Sequence, residues 1–168
     1  MPEIPNVEGL LDDMAQELKE QLKAKKISDP VMIGIQTGGV WVAQALHEKL
    51  HLKQPLGKLN ITFYRDDFTR IGMHPQVQPS SLPFDIDDRH IILVDDVLHT
   101  GRTIRAALNE IFDYGRPASV ILVALVVRNG RELPICADII GESLSLTEQQ
   151  HIKLSGPEPL KLELQEGK

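Results

Sequence analysis

The chain has 168 residues, of which 42% are hydrophobic and 25% charged, and its formal net charge is −6. These values are typical of one globular domain over residues 1–168, and they argue against a disordered segment or a small scaffold held by disulfides. The chain has a single cysteine, Cys136, and its amino terminus lacks a signal-peptide pattern. It also contains no apolar run of roughly 20 residues. These features predict a cytoplasmic protein without membrane contact.

The first predicted elements are a helix, a strand and a second helix. Apolar residues recur at helical spacing over residues 10–22 and predict an amphipathic helix. The aliphatic run Val31–Ile35 is typical of a strand that is buried on both faces. Gly38 and Gly39 then form a loop, and a helix with apolar residues from Val40 onward follows it.

A long segment without regular structure is predicted in the middle of the chain. Residues 59–64 favour a strand, whereas residues 65–89 show no sustained period and contain Pro75, Pro79 and Pro83. Loops of this length in compact domains are usually functional. We therefore expect a flexible loop over residues 65–89, which acts either as a lid over a site or as an arm that packs against a partner subunit.

The chain then continues with a strand, two acids, a loop and a helix. Four consecutive aliphatic residues begin at Ile91 and predict a buried strand, and Asp95 and Asp96 follow it directly. A helix is predicted from Thr103, because apolar residues recur three and four positions apart until Gly115. Residues 98–103 therefore form the turn between a strand end and a helix start.

This turn suits a phosphate group. At the carboxyl ends of parallel strands, free backbone N–H groups and the positive end of the helix dipole favour an anion. Gly101 permits close approach of the backbone, and the hydroxyls of Thr100 and Thr103 can donate further hydrogen bonds. Asp95 and Asp96 would repel a phosphate, so we expect them to accept hydrogen bonds from sugar hydroxyls or to hold Mg²⁺ through water. The combination indicates a sugar phosphate.

Other phosphate-binding motifs do not fit this turn. The chain contains no Gly-Lys-Ser/Thr sequence, which a P-loop requires, and only Gly101 is available where a dinucleotide fold needs three glycines. A simple helix cap would need a single acceptor rather than this whole set of groups.

The last third of the chain predicts a further central strand and several short segments. Ser119 begins a nearly continuous aliphatic run to Val127, which is typical of a central parallel strand. Arg128 and Arg131 follow at its carboxyl end and are equally compatible with ligand phosphate, RNA or plain solvent exposure. Residues 160–164 alternate and suit an edge strand.

Two levels of resemblance follow from these motifs. Residues 91–103 resemble the signature for 5-phosphoribosyl 1-pyrophosphate (PRPP) in the type I phosphoribosyltransferases. The chain also resembles the PyrR family over roughly residues 10–165, through the segments Tyr64-Arg65-Asp66-Asp67, 75–84, 101–108 and Arg131-Glu132-Leu133-Pro134-Ile135. The implied fold is an open, mainly parallel α/β sheet flanked by helices, with a small hood contributed mainly by residues 135–168.

The resemblance implies two activities. One is the conversion of uracil and PRPP to UMP and diphosphate with Mg²⁺, and the other is UMP-dependent RNA binding that regulates pyrimidine biosynthesis genes, with the pyr mRNA leader as the candidate RNA. It also implies a homodimer or a higher homo-oligomer. The net charge of −6 weakens RNA binding unless the basic residues gather on one face.

The resemblance also assigns roles to residues. Asp95, Asp96, Arg65 and Arg70 are implied as catalytic, with Asp95 contacting the magnesium of Mg-PRPP through water. PRPP is expected on Asp95 and Asp96 together with the loop residues Leu98, His99, Thr100, Gly101, Arg102 and Thr103. The pyrophosphate is expected at Thr37, Gly38 and Gly39, and the base is expected under a hood that includes Ile139, Ile140 and Gly141.

Two departures from the family pattern leave alternatives open. Many relatives carry Arg at the position of Gly38, so a charge that would neutralise departing pyrophosphate is missing here and weaker catalysis is expected. Many relatives also have Lys-Asn where Glu142 and Ser143 follow Gly141. The chain is therefore either an active uracil phosphoribosyltransferase, a nucleotide-sensing regulator with little or no turnover, or a phosphoribosyltransferase for another base.

Overall fold

The computed structural model describes residues 3–61 and 80–167. Within these ranges the chain forms three α-helices and seven β-strands. The helices are α1 (Val7–Ala24), α2 (Gly38–Leu50) and α3 (Arg102–Tyr114). The strands are β1 (Val31–Ile35), β2 (Gly57–Leu59), β3 (His90–Leu98), β4 (Ser119–Arg128), β5 (Ile139–Leu144), β6 (Gln150–Ser155) and β7 (Lys161–Glu166).

The first five strands form one parallel sheet in the order β2-β1-β3-β4-β5. The central strand β3 pairs with both β1 and β4, so that Leu93 lies between Ile33 and Leu122. Helices cover both faces of this sheet, which explains why β1, β3 and β4 are nearly continuous aliphatic runs rather than alternating ones. The predicted parallel α/β sheet is confirmed.

The two faces of the sheet have separate hydrophobic cores. On one face α1 and α2 pack with apolar residues of β5, β6 and β7, and Leu18 of α1 and Leu46 of α2 are fully buried there. On the other face α3 inserts Ile104, Ala107 and Ile111 against β1 and β3. The helical spacing of these residues in the sequence is what places them on one buried stripe.

The strand predicted at residues 59–64 is displaced. Strand β2 begins at Gly57, which pairs with Ile33 and lies so close to Phe84 that a Cβ there would approach the ring to 2.7 Å. Among the described residues β2 ends at Leu59, because the next amide, that of Asn60, donates to the Ser80 Oγ at 2.9 Å instead of to a strand. Residues 62–64 of the prediction lie outside the described residues.

The segment predicted as a long loop is described only from residue 80 onward. Ser81 and Lys58 exchange two backbone hydrogen bonds of 2.7 and 2.8 Å, and Ile86 is buried in the core beneath α3. Residues 65–79, with Arg65 and Arg70, lie outside the described residues. The choice between a lid and an arm therefore stays a prediction.

The carboxyl-terminal third divides between the two sheets. Strand β5 extends the parallel sheet beside β4, whereas β6 and β7 form a separate antiparallel pair. The edge strand predicted at residues 160–164 corresponds to β7, and Leu154 and Leu162 face the core below α1 and α2. The assignment of residues 135–168 to a hood stays a prediction. Across the two described ranges no helix is long and apolar enough to cross a membrane.

Candidate active site

The sheet reverses its direction of winding between β1 and β3. From β1 the chain passes through α2 to β2 on one side, and β3 then pairs with the opposite side of β1. In open α/β sheets such a reversal leaves a crevice at the carboxyl ends of the two strands, and ligands bind there. Two segments open onto this crevice, residues 37–39 and the turn at 98–103. The glycines that the sequence predicted as a loop before the helix are the first two residues of α2, and Thr37 is its N-cap.

The glycine segment at the start of α2 packs directly against the acid pair. A Cβ on Gly38 would collide with the carboxylate of Asp96, and a Cβ on Gly39 would lie 2.7 Å from the carbonyl oxygen of Val94. Larger residues at either position therefore require a shift of β3 or of the Asp96 side chain. The two glycines are what allow the start of α2 to approach β3 at the acid pair.

Asp95 and Asp96 are held by the backbone of their own strand. The N–H of Asp96 donates to Asp95 Oδ1, and the N–H of Val97 donates to Asp96 Oδ1, both at 2.8 Å. Asp95 is only 5% exposed. Burial raises the pKa of the Asp95 carboxyl well above its usual range, and the neighbouring charge of Asp96 raises it further. A buried acid with a shifted pKa in a crevice is typical of a functional site.

The turn after β3 leads directly into the start of α3. Gly101 has a φ of +96° and caps α3 without a side-chain hydrogen bond, and the first turn of the helix contains no acidic residue. The N–H of Arg102 donates to Thr100 Oγ1 at 3.2 Å. The Thr100 carbonyl accepts hydrogen bonds from the N–H groups of Glu132 and Leu133, which fix the turn from outside. An anion is favoured at such a helix start.

A cavity of about 260 Å³ opens beside this turn. Its walls are mostly apolar, with one histidine, two arginines and one thiol among them. The lining residues are Leu98, His99, Val127, Arg128, Arg131, Ile135, Cys136, Ala137 and Ile140. A largely apolar pocket with a few polar groups is the usual form of a small-molecule site.

His99 and the turn after β4 form one side of the cavity. Gly130 has a φ of +109°, and a Cβ there would approach His99 Nε2 to 2.7 Å, so the glycine lets the turn lie against the imidazole. Burial lowers the pKa of His99, and the positive charge of Arg128 lowers it further. Asp138 fixes the segment that leads into β5. Its carboxylate accepts a hydrogen bond from the N–H of Leu122 in β4, and its own N–H donates to the Leu122 carbonyl, both at 2.8 Å.

The residues predicted for the site fall into three groups. The loop 37–39, the acid pair and the turn 98–103 come together at one end of the sheet, as described above. Of the three hood residues, Ile140 lines the cavity, Ile139 is fully buried in the core, and Gly141 packs against Met14 and the Leu125 carbonyl. Arg65 and Arg70 lie outside the described residues.

Sequence analysis left some cavity residues unassigned. It kept Arg128 and Arg131 open between three roles and gave Ile135, Cys136 and Ala137 no individual role in the site. The structure places all of them on the cavity wall. The polar segment that directly follows β4 was the feature of the sequence that could have indicated these residues. Strands β3 and β4 are parallel neighbours, so their carboxyl ends lie at the same edge of the sheet.

Comparisons with known proteins agree with this geometry. A family model of the phosphoribosyl transferase domain matches residues 2–153. The chain is 60% identical over 162 residues to the bifunctional protein PyrR of Nitrosococcus oceani, which covers 95% of this chain and 92% of that protein. It is 59% identical over 163 residues to the bifunctional protein PyrR of Pseudomonas syringae pv. tomato, with 97% and 96% covered.

Solved structures with the same fold include two phosphoribosyltransferases. The hypoxanthine phosphoribosyltransferase of Trypanosoma cruzi superposes with a TM-score of 0.70 at 16% identity, over 96% of this chain and 93% of that one. The purine phosphoribosyltransferase of Pyrococcus horikoshii gives a TM-score of 0.58 at 25% identity, over 83% and 84%. These similarities confirm the type I phosphoribosyltransferase fold.

Proposed function

This chain belongs to the phosphoribosyltransferase family and, within it, to the PyrR proteins, and from that premise we propose that it transfers the phosphoribosyl group of PRPP to uracil. The products are UMP and diphosphate. We further propose that UMP controls the binding of this protein to RNA, with the pyr mRNA leader as target. One observation carries the enzymatic proposal: the phosphate turn, the acid pair and the glycine segment at the start of α2 meet at the same crevice, beside an apolar cavity of the kind that accepts a base.

Each part of PRPP has a matching group in this arrangement. The 5′-phosphate binds at residues 98–103, at the start of α3, where the N-cap residue Gly101 has no side chain and the first turn contains no acidic residue. The ribose hydroxyls donate hydrogen bonds to Asp95 and Asp96, whose orientation is set by the backbone bonds within β3. The pyrophosphate binds at residues 37–39. The base occupies the cavity beside His99.

The donor set fits a magnesium ion that arrives with its substrate. In the described part of the chain no three acidic, histidine or cysteine side chains lie close enough together to hold a metal by themselves. Magnesium commonly keeps several waters and binds through one or two carboxylates together with substrate phosphates. Asp95 would contact the ion of Mg-PRPP through water, and the bound ion supplies positive charge beside the leaving diphosphate.

The protein's own contribution to the reaction is electrostatic. As the bond between C1 of the ribose and the pyrophosphate oxygen breaks, its electron pair stays with the diphosphate and positive charge develops on the sugar. The base nitrogen then forms the new bond to C1 and releases its proton to solvent. The acid pair offsets this charge on one face of the ribose. Arg65 and Arg70, in the segment outside the described residues, are proposed to neutralise the departing diphosphate and to close over the site.

A specific observation favours a second candidate, a nucleotide-sensing regulator with little turnover. The segment that would hold the pyrophosphate has glycine at position 38, packed against Asp96. Many relatives carry arginine at this position, and the positive charge of that side chain is missing here. Binding of UMP needs the phosphate turn and the acid pair but not the machinery for the leaving group. Retention of a pocket for nucleotide without efficient catalysis is compatible with this geometry.

One assay separates the two candidates. Purified protein is incubated with radiolabelled uracil, PRPP and Mg²⁺, with hypoxanthine and guanine as alternative bases. Robust formation of UMP rejects the pure regulator, whereas tight UMP binding without turnover rejects the enzyme. A faster reaction with a purine would move the proposal to another base. The Asp96→Asn variant is the control for contaminating activity.

RNA binding and assembly need separate measurements. A gel shift with pyr leader RNA, with and without UMP and at two salt concentrations, is expected to show a complex that UMP strengthens and salt weakens. A scrambled RNA of the same length is the control, and equal binding of both RNAs would contradict the regulatory proposal. We also propose that residues 1–168 form one domain, that residues 135–168 supply its hood, and that the chain forms a homodimer or a higher homo-oligomer, which light scattering tests.

A further inference from the structure

A second cavity, which we call the basic hollow, lies at the amino-terminal edge of the main sheet. Its volume is about 280 Å³, and it is formed where α1 and α2 end and where the chain enters β1. Four basic side chains line it: Lys19 and Lys23 of α1, and His51 and Lys53 of the segment after α2. The candidate active site lies at the carboxyl edge of the same sheet, so the two sites are at opposite ends of the parallel strands.

The lysines of the basic hollow are not neutralised by neighbouring acids. All three are exposed, and none has an ion-pair partner among the residues that the structure describes. Asp29 is the one carboxylate among the described lining residues. Its Oδ2 accepts a hydrogen bond from Gln54 at 3.2 Å and lies 3.5 Å from Nη2 of Arg89, so an arginine already offsets its charge.

The ends of the helices account for only part of this positive charge. The carboxyl end of a helix carries roughly half a negative charge, which favours a cation nearby. Because α1 and α2 both end at the basic hollow, this effect balances about one of the three lysine charges. The hollow therefore keeps an excess of positive charge, in a chain whose formal net charge is −6.

The exposed charges of α1 are divided along its length. In residues 7–18 every charged side chain is acidic, namely Glu8, Asp12, Asp13 and Glu17. In residues 19–26 there are four lysines and one acid, namely Lys19, Lys23, Lys25, Lys26 and Glu20. A polyanion is therefore repelled by the first half of the helix and attracted by its end, where the basic hollow lies.

We propose that the basic hollow is the docking surface for the phosphate backbone of RNA. This inference rests on the proposed RNA binding and deepens it by naming the surface. Lys19, Lys23 and Lys53 each neutralise a phosphate, and such contacts, with the counterions that they release, supply much of the affinity for nucleic acid. A basic patch on one face is the electrostatic footprint of a nucleic-acid site, and it reconciles RNA binding with the acidic net charge. RNA and UMP then occupy separate sites at opposite edges of the sheet.

The test compares two pairs of lysine substitutions that remove the same charge from different surfaces. Binding of pyr leader RNA is measured at saturating UMP over a range of salt concentrations for the wild type, the Lys19→Gln/Lys23→Gln variant and Lys53→Gln. The matched control is Lys153→Gln/Lys161→Gln, which removes two exposed lysines from β6 and β7. UMP affinity without RNA is measured for every variant and detects a general loss of structure.

We expect the Lys19→Gln/Lys23→Gln variant to bind RNA roughly 25-fold more weakly at 0.1 M salt and Lys53→Gln about fivefold more weakly. The slope of log affinity against log salt concentration should become shallower by about 0.7 for each lysine removed, the value for single-stranded nucleic acid. Lys19→Arg/Lys23→Arg should bind RNA as the wild type does, because it keeps both charges. The control pair should keep the RNA affinity of the wild type, and all variants should keep its UMP affinity.

Two results would overturn the inference: RNA binding that is unchanged in Lys19→Gln/Lys23→Gln, or losses that are equal in this variant and in the control pair. A third would be loss of binding to phosphatidylglycerol vesicles without loss of RNA binding, since the surface would then serve a membrane. A wild-type protein that binds no leader RNA at any salt concentration, with UMP present, would instead reject the proposed RNA binding itself.

Discussion

The substitution Asp95→Asn is expected to stabilise the protein while it destroys the site. Asn has the shape of Asp and keeps the oxygen that accepts the Asp96 N–H at 2.8 Å, so the local backbone is preserved. It removes a charge that is almost fully buried at the end of β3, beside a second carboxylate. The stability of the fold and the affinity for PRPP are therefore predicted to change in opposite directions.

The magnitude follows from the raised pKa of Asp95. Each unit by which the folded state raises a pKa makes the ionised group cost the fold about 1.4 kcal/mol at higher pH. A raised carboxyl pKa contributes stability that is fully present below the ordinary value of 3.8 and is lost as pH rises through the raised pKa. At neutral pH we therefore expect Asp95→Asn to unfold at a higher Tm than the wild type, by on the order of a few degrees. Loss of a charge-assisted hydrogen bond to the ribose is expected to weaken PRPP binding roughly 10- to 150-fold.

Thermal unfolding at fixed protein concentration and calorimetric titration with Mg-PRPP measure both effects. The melting curves are recorded at neutral pH and below pH 3.8, where the gain is expected to vanish. Asp113→Asn, an exposed acid on α3, is the control and is expected to change neither quantity. The reasoning is refuted if Asp95→Asn melts below the wild type at neutral pH, if its gain persists in acid, or if it binds PRPP as tightly as the wild type.

Three other predictions concern the neighbouring groups. Asp96→Asn and Thr100→Val are each expected to weaken PRPP binding by at least about tenfold, because each removes a proposed contact to the ribose or the phosphate; unchanged titration curves would remove the binding scheme. Gly38→Ala adds only a Cβ that displaces Asp96, whereas Gly38→Arg adds a positive charge as well. The arginine variant is therefore expected to form UMP faster than the alanine variant. Equal rates would show that the missing charge is irrelevant. Burial raises the pKa of Glu110, although the Ser80 hydroxyl donates a hydrogen bond to it at 2.8 Å. Glu110→Gln is therefore expected to raise Tm at neutral pH. This gain is expected to disappear at a pH below the ordinary pKa of a glutamate side chain. A Glu110→Gln variant that melts lower at neutral pH would contradict that assignment.

Local patterns predicted most of the fold. The helical spacing of apolar residues located α1 and α3, and the uniform aliphatic runs located β1, β3 and β4, because their periodicity depends only on which faces are buried. The end of β2 could not be predicted, since it depends on a hydrogen bond between Asn60 and a serine 20 residues later. The pairing of β6 with β7 apart from the main sheet likewise depends on contacts distant in sequence.

The candidate site shows the same division. The acid pair and the phosphate turn are contiguous in sequence, so their chemistry could be predicted from residue types alone. The cavity could not, because its walls combine the end of β3 and the turn after it with the end of β4, the segment between β4 and β5, and β5. The role of Arg128 was ambiguous for the same reason: carbonyl groups near β6 bury it and fix it, and no pattern near Arg128 indicates them.

The most direct test of the central claim is a crystal structure of the protein with UMP. The account predicts that the phosphate lies against the backbone N–H groups at the start of α3, and that the two ribose hydroxyls lie within hydrogen-bonding distance of Asp95 and Asp96. A structure in which the phosphate binds elsewhere, or in which the ribose hydroxyls point away from both acids, would contradict it.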